Sequence, residues 1–99
     1  MNIQHEDNGK KGKFFVNEND KQLASMTYTW VGTERIIIDH TDVSDVLRGQ
    51  NVGKQLLMKV VTMAREKGIF VIPLCPFANS MFKKITDIQD VLQNSESKS

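Results

Sequence analysis

The sequence predicts a single α+β domain in which two helices pack on one curved, mostly antiparallel β-sheet. Three observations lead to this fold class. Strand-like segments separated by turns fill the first forty residues, an amphipathic helix follows at residues 52–67, and a short apolar run comes next at residues 69–74. A strand, a helix and a second strand in succession indicate a crossover between parallel strands, whereas short turns join antiparallel strands.

Turn-forming residues divide the N-terminal part into three predicted strands. The turn compositions Asn8–Gly12 and Asn17–Asp20 separate the strands Asn2–Asp7, Lys13–Val16 and Leu23–Val31. In the third strand every second residue is apolar, and these residues are Ala24, Met26, Tyr28 and Trp30. Such alternation is typical of an antiparallel strand with one buried face.

The fourth predicted strand, Arg35–Val43, follows a hairpin connection at residues 31–34. Its three consecutive isoleucines form a continuous apolar run, which indicates a strand covered on both faces. The polar segment Ser44–Asn51, which contains Gly49, then leads into the central helix.

The central helix is predicted over Val52–Lys67, with Gly68 as its C-terminal stop. Apolar residues recur there at helical spacing, at Val52, Leu56, Leu57, Val60, Val61 and Ala64. The next strand, Ile69–Leu74, is interrupted by Pro73.

A last helix, capped by Asn79 or Ser80, is expected to run to about Leu92. The domain therefore spans residues 1–92, and the polar residues 93–99 form a flexible C-terminal tail.

The bulk composition excludes several classes of function. A net charge of +1 over 99 residues provides no general attraction to nucleic acid or to a membrane surface. The apolar stretches are too short to cross a bilayer, and the N-terminus lacks the regions of a signal peptide. One cysteine and two scattered histidines make neither a disulfide nor a metal site. We expect a cytoplasmic protein whose anionic ligands are held by a local site.

The segment Arg48–Lys54 has the properties of a phosphate-binding loop. It lies between a buried strand and an amphipathic helix, carries two glycines, and has a basic residue at each end. The first amides of a helix lack internal partners, and the helix dipole favours an anion there. The spacing of Gly49 and Gly53 fits neither the P-loop nor the dinucleotide fingerprint.

This loop resembles that of the GNAT superfamily of acyl-CoA-dependent acyltransferases. Their pyrophosphate loop has Gln or Arg, two residues, Gly, one residue, and then Gly or Ala. Arg48 takes the first position and Gly53 the last, while Asn51 replaces the middle glycine. The segments His40–Val43 and Pro73–Phe77 also resemble compact GNAT-like proteins of about this length.

The resemblance implies acetyl-CoA, or coenzyme A, as the cofactor, with the fourth and fifth strands splayed around its thioester. An amine, either a small molecule or a peptide, would then attack the acetyl carbonyl directly. The cofactor-binding residues implied are Thr41, Asp42, Val43, Arg48, Gly49, Gln50, Asn51, Val52, Gly53, Lys54, Pro76 and Phe77.

The catalytic residues are less conventional. Phe82 occupies the position where many GNAT enzymes have a tyrosine that protonates the departing thiolate. Cys75 is the candidate substitute, either as a proton donor or as an acceptor of the acetyl group, with His40 as the neighbouring base. The simpler alternatives are a small buried hydrophobe at Cys75 and a hydrogen-bonded strand residue at His40.

The sequence therefore predicts an acetyl-CoA-dependent N-acetyltransferase with an unidentified amine acceptor. The alternative is a non-catalytic acyl-CoA-binding or sensing module, favoured by Phe82 and by the lack of acceptor-shaping helices after the first strands. A third hypothesis, a general partner-binding domain, predicts no affinity for CoA.

Overall fold

A computed structural model describes residues 2–92 and shows one five-stranded sheet in the order β1-β2-β3-β4-β5. The strands are β1 Gln4–Asp7, β2 Lys11–Glu18, β3 Lys21–Val31, β4 Arg35–Val43 and β5 Phe70–Pro73. The helices are α1 Val52–Lys67 and α2 Pro76–Lys84, with 3₁₀ segments at Asp45–Leu47 and Thr86–Val91. The first four strands are antiparallel and β5 runs parallel to β4, which confirms the predicted fold class. The predicted tail, residues 93–99, lies outside the described residues.

The hydrophobic core lies between one face of the sheet and the two helices. Alternate residues of β3 enter it, as predicted, because Ala24, Met26 and Tyr28 are almost completely buried. The apolar face of α1 covers these side chains. Its fully buried members are Leu56, Leu57, Val60, Val61 and Ala64.

The central helix has the predicted bounds, Val52–Lys67, and its end has a clear cause. Gly68 adopts the left-handed conformation (φ 67°), and its N–H donates to the carbonyl of Ala64. No helix within residues 2–92 combines the length and hydropathy that a membrane span needs.

The prediction for the last helix was wrong at both ends. Helix α2 begins at Pro76, where a residue without an N–H loses no intrahelical hydrogen bond, and extended Cys75 precedes it. It ends at Lys84, and the predicted continuation to Leu92 is a 3₁₀ segment. Arg65 of α1 holds that segment, since its guanidinium donates to the Asp87 carbonyl (2.7 Å) and to the Asp90 carboxylate (2.8 Å).

Strand β4 contains a bulge that changes which of its residues face the core. Tyr28 pairs with Ile38, but the preceding residue, Thr27, pairs with His40, so that Asp39 is an extra residue in β4. Cross-strand partners share a face, so Ile38 lies on the helix-covered face. His40 and Asp39 lie toward the opposite, uncovered side, which we call the open face.

The parallel pairing of β4 and β5 is short. It joins Arg35–Ile38 to Phe70–Pro73 and then stops, and the N–H of Cys75 donates to the Ile38 carbonyl (3.1 Å). Beyond this bond the chain turns into α2 while β4 continues to Val43. On this side the second half of β4 therefore has no paired strand, and we call the space beside this edge the gap; it corresponds to the splay that the resemblance implied.

Candidate functional site

The loop between β4 and α1 presents the first turn of α1 without a side-chain cap. Gly49 (φ 86°) and Asn51 (φ 57°, ψ 33°) both have left-handed backbone conformations. Asparagine tolerates this conformation better than other non-glycine residues, so Asn51 can stand where the family has glycine. Its side chain makes no capping hydrogen bond, which leaves the N–H groups of the first turn directed out of the helix.

One of the two basic residues of this loop, Arg48, already has an acidic partner. The guanidinium of Arg48 lies 2.6 Å from the carboxylate of Asp45, and both side chains are exposed. Sequence reasoning missed Asp45, although its position three residues before Arg48 in a helical turn could have revealed the pair. Lys54 is exposed. It borders a surface groove of about 560 Å³ that runs along α1 beside Lys59.

The other predicted loop residues have mainly structural environments. Val52 is buried (2% exposed) and anchors the start of α1 in the core. The carbonyl of Gln50 accepts a hydrogen bond from the side-chain amide of Gln55 (3.0 Å), which holds the loop against the helix.

Gly53 is buried against the first turn of α2. A β-carbon at this position would lie 2.7 Å from Cζ of Phe77, closer than real contacts allow. The backbone at Gly53 has no left-handed conformation, so the requirement for glycine comes from the aromatic ring. This contact places the phosphate-type loop and the start of α2, with Pro76 and Phe77, side by side.

Cys75 lies at the closed end of the gap, immediately before α2. Its Sγ is 3.2 Å from Oγ1 of Thr41, and the residue is 5% exposed. Burial alone would raise the pKa of the Cys75 thiol. The Thr41 hydroxyl and the N–H groups of Ala78, Phe77 and Thr41 outweigh burial and lower that pKa below its ordinary value. The thiolate of Cys75 is therefore more favourable than that of a free cysteine, at a position bordered by β4.

The structure does not bring His40 to Cys75. Thr41, which contacts the cysteine, pairs with buried Met26 on the helix-covered face. His40 pairs with Thr27 and is exposed on the open face. The two predicted catalytic residues thus lie on opposite sides of β4.

The remaining residues predicted for the pantetheine arm belong to the same stretch of β4. Asp42 is exposed on the open face beside Ser25, and Val43 is half-buried against the core. Their backbone faces the gap because β5 has already ended at Pro73.

Neither Phe82 nor the single tyrosine, Tyr28, can supply a hydroxyl proton to the gap. Phe82 is buried (1% exposed) and has no hydroxyl. The hydroxyl of Tyr28 donates to Asp7 (2.6 Å) and lies 2.6 Å from Nε2 of His5. Its proximity to Met63, in the last two turns of α1, places it at the end of that helix away from the loop.

The site thus combines a strand whose backbone borders a gap, a thiol in that gap and an uncapped helix start. A model of the GCN5-related N-acetyltransferases matches residues 13–91, which include all of these features. The chain belongs to this family. GNAT proteins use acetyl-CoA, so the cofactor implied by the loop agrees with the family.

Solved structures show the same fold. The NMR structure of a GCN5-like protein from Staphylococcus aureus is 41% identical, with a TM-score of 0.77, over 98% of this chain and 92% of that one. Ribosomal-protein-alanine N-acetyltransferase from Brucella melitensis is 13% identical, with a TM-score of 0.67, over 93% of this chain and 68% of that one.

A GNAT acetyltransferase from Elizabethkingia anophelis was crystallised with acetyl-CoA bound. It is 19% identical, with a TM-score of 0.53, over 63% of this chain and 41% of that one. This similarity concerns the GNAT fold alone. The chain has no significant match among curated proteins.

Proposed function

We propose that this chain binds acetyl-CoA and transfers its acetyl group to an amine. The observation that carries the proposal is the contact between Gly53 and Phe77. It joins the uncapped start of α1 to the start of α2, two residues after Cys75. A single extended ligand can therefore reach both the helix amides and the gap.

The phosphates of the cofactor are assigned to the start of α1. The N–H groups of Val52, Gly53 and Lys54 and the positive end of the helix dipole favour an anion, by about 0.3–1 kcal/mol for the dipole at an exposed site. Lys54 adds a positive charge. Arg48 also adds a positive charge, although it must give up its exposed ion pair with Asp45, worth about 0–1 kcal/mol, to meet a phosphate.

The pantetheine arm is assigned to the edge of β4 that borders the gap. The backbone of Thr41, Asp42 and Val43 lies there beyond the end of β5. Extended backbone of this kind can bind the amide groups of the arm as a neighbouring strand would. The thioester then lies near Cys75.

Cys75 acts on the thioester in one of two ways. In a relay, its thiolate forms a new C–S bond to the acetyl carbon, the bond to CoA breaks, and CoA departs as the thiolate. The amine then displaces Cys75, which regains a proton. In direct transfer, the amine attacks acetyl-CoA itself and the Cys75 thiol gives its proton to departing CoA. The lowered pKa of the thiol favours both routes, because it increases the fraction of nucleophilic thiolate and makes the thiol a better proton donor.

A second function, a non-catalytic acyl-CoA-binding module, is favoured by one specific observation. Phe82 stands where many GNAT enzymes have a tyrosine that protonates the thiolate, and its side chain is buried in the core. A chain that only binds acyl-CoA would keep the loop and the gap without needing a proton donor at that position.

Mass spectrometry separates these possibilities. The purified chain is incubated with acetyl-CoA and measured under native and denaturing conditions, beside Cys75→Ala. A covalent acetyl group on Cys75 supports the relay. A non-covalent adduct plus acetylation of added amines supports direct transfer, and the adduct without any transfer supports the binding module. No adduct, where a known CoA binder shows one, contradicts the proposal.

A further inference from the structure

We infer that a groove on the open face is the acceptor site for an amine that carries a second positive charge. This inference rests on the proposed function. The groove has a volume of about 630 Å³, within the range of small-molecule sites. Its lining includes Glu6, Lys11, Lys13, Thr27, Asp39 and His40.

The groove is built from a row of side chains that crosses the sheet. Glu6 pairs with Lys13, Lys13 with Thr27, and Thr27 with His40. Directly paired residues of antiparallel strands project from the same face. The four side chains therefore line one continuous polar track from β1 to β4.

The track ends at the gap where the thioester is proposed to lie. The last pair between β4 and β5 is Ile38 with Pro73, and His40 comes two residues later in β4. A ligand in the groove thus approaches β4 from the open face. Acetyl-CoA would approach from the side of Thr41 and Cys75, so the two substrates would meet at this strand.

The charges of the groove favour a cation. Among residues 2–92 the ion pairs are Arg48–Asp45 and Arg65–Asp90, so neither Glu6 nor Asp39 has a cationic partner there. Asp39 accepts a hydrogen bond from the Thr29 hydroxyl (2.6 Å), which fixes its carboxylate without neutralising it.

The lysine of the row does not cancel these carboxylates. The Lys13 ammonium donates to Oε1 of Gln22 (2.8 Å) and lies 4.8 Å from the ring centre of Phe15. It is therefore directed away from its cross-strand neighbour Glu6. The other lysine of the groove, Lys11, is the cross-strand partner of Thr29, the residue that donates to Asp39, and it forms no ion pair among residues 2–92.

These groups suit a linear diamine. One ammonium pairs with Glu6 or with Asp39 and stays charged, while the other amine reaches the edge of β4 and must lose a proton to react. His40 is placed to accept that proton. The neutral amine nitrogen then bonds to the acetyl carbon and the C–S bond breaks. The second proton lost by nitrogen goes to the departing thiolate, and His40 releases the first one to solvent.

Titrations with three probes of equal length test the assignment. The amide NMR signals of the chain, free and saturated with CoA, are followed during addition of 1,4-diaminobutane, butylamine and 4-aminobutanoate. We expect the diamine to shift the signals of Glu6, Thr27, Asp39 and His40, and to bind more tightly than butylamine. Glu6→Gln and Asp39→Asn should each weaken its binding roughly fivefold without changing the affinity for CoA.

Asp20→Asn is the matched control, because it removes an exposed carboxylate in the turn between β2 and β3 and asparagine also tolerates its left-handed backbone. It should leave diamine binding unchanged. Equal affinity for the three probes, or shifts confined to the groove along α1, would overturn the inference. If the chain bound the diamine in the open-face groove but did not bind CoA, the proposed function would be overturned. The groove would then be a cation-binding site unrelated to acetyl transfer.

Discussion

The ring of Phe77 packs on the backbone of Gly53, so that a β-carbon at position 53 would come within 2.7 Å of Cζ of that ring. This contact connects the two helix starts around the proposed cofactor site. The contact also explains why position 53 is glycine. From the sequence alone, the close approach of a phosphate was the expected reason.

Gly53→Val should therefore reduce acetyl-CoA binding at least tenfold and destabilise the chain by about 1–3 kcal/mol through overpacking. The smaller change Gly53→Ala should have a weaker effect of the same sign. Calorimetric titration with acetyl-CoA and urea unfolding measure the two quantities.

The double variant Gly53→Ala with Phe77→Leu tests the cause, because the shorter side chain leaves room for the new methyl group. Its stability should exceed that of Gly53→Ala. Equal stability would show that Phe77 is not the obstacle.

Asn51→Gly should preserve both stability and acetyl-CoA binding, because glycine adopts the observed left-handed conformation without strain. Asn51→Val should cost about 1–2 kcal/mol, since a β-branched residue is disfavoured there, and should weaken binding by distorting the first turn. Urea unfolding with and without acetyl-CoA gives both values. A Val variant as stable as the parent would argue against the left-handed geometry of this loop.

Thr41→Val should raise the pKa of the Cys75 thiol, because it removes the hydroxyl that favours the thiolate. The fraction of thiolate at neutral pH then falls, whereas Thr41→Ser should keep it close to that of the parent. Ultraviolet absorbance of the thiolate during a pH titration measures this directly, since Cys75 is the one cysteine of the chain.

The single tyrosine should not interfere with this measurement, because burial and its hydrogen bond to Asp7 raise the pKa of Tyr28 well above its usual value. If Thr41→Val leaves the titration unchanged, the N–H groups at the start of α2 account for the lowered pKa by themselves.

Asp7 should contribute to stability at neutral pH and lose that contribution in acid. Partial burial opposes its charge, but hydrogen bonds from Tyr28, the Gly9 N–H and Trp30 outweigh it and lower the pKa of Asp7. A lowered pKa in the folded state stabilises the folded protein at any pH above the unfolded-state pKa of Asp7, which is about 4. This stabilisation disappears as the pH falls through the folded-state pKa.

Asp7→Asn should therefore reduce the free energy of unfolding at pH 7, by less than about 1 kcal/mol because the carboxylate is largely exposed. The difference from the parent should shrink below pH 4. Glu66→Gln, an exposed carboxylate on α1, is the control. A difference that stays constant across this range would exclude the ionisation of Asp7 as its source.

Local periodicity explains which parts of the fold could be predicted. The alternation of β3 and the helical spacing of α1 are properties of neighbouring residues, and both elements form with the expected faces. The start of α2 could not be predicted because Cys75 is not among the residues that commonly cap helices, whereas Asn79 and Ser80 are.

Contacts between residues that are far apart in the chain could not be predicted from local sequence patterns. The bond between His5 and Tyr28 joins residues 23 positions apart, and that between Cys75 and Thr41 spans 34. The bulge at Asp39 was equally hidden, because an uninterrupted strand was the simplest interpretation of the apolar run before it. For this reason the sequence placed His40 beside Cys75, whereas the register separates them.

That one additional residue in β4 has a kinetic consequence under the proposed function. Since the donor and the acceptor reach the strand from opposite sides, neither occupies the other's route of entry or exit. Either substrate can therefore bind first, and a new amine can arrive while spent CoA is still leaving. If β4 instead paired regularly through Asp39, the following residues would lie on the opposite faces, and both substrates would approach from one side, where they would have to take turns.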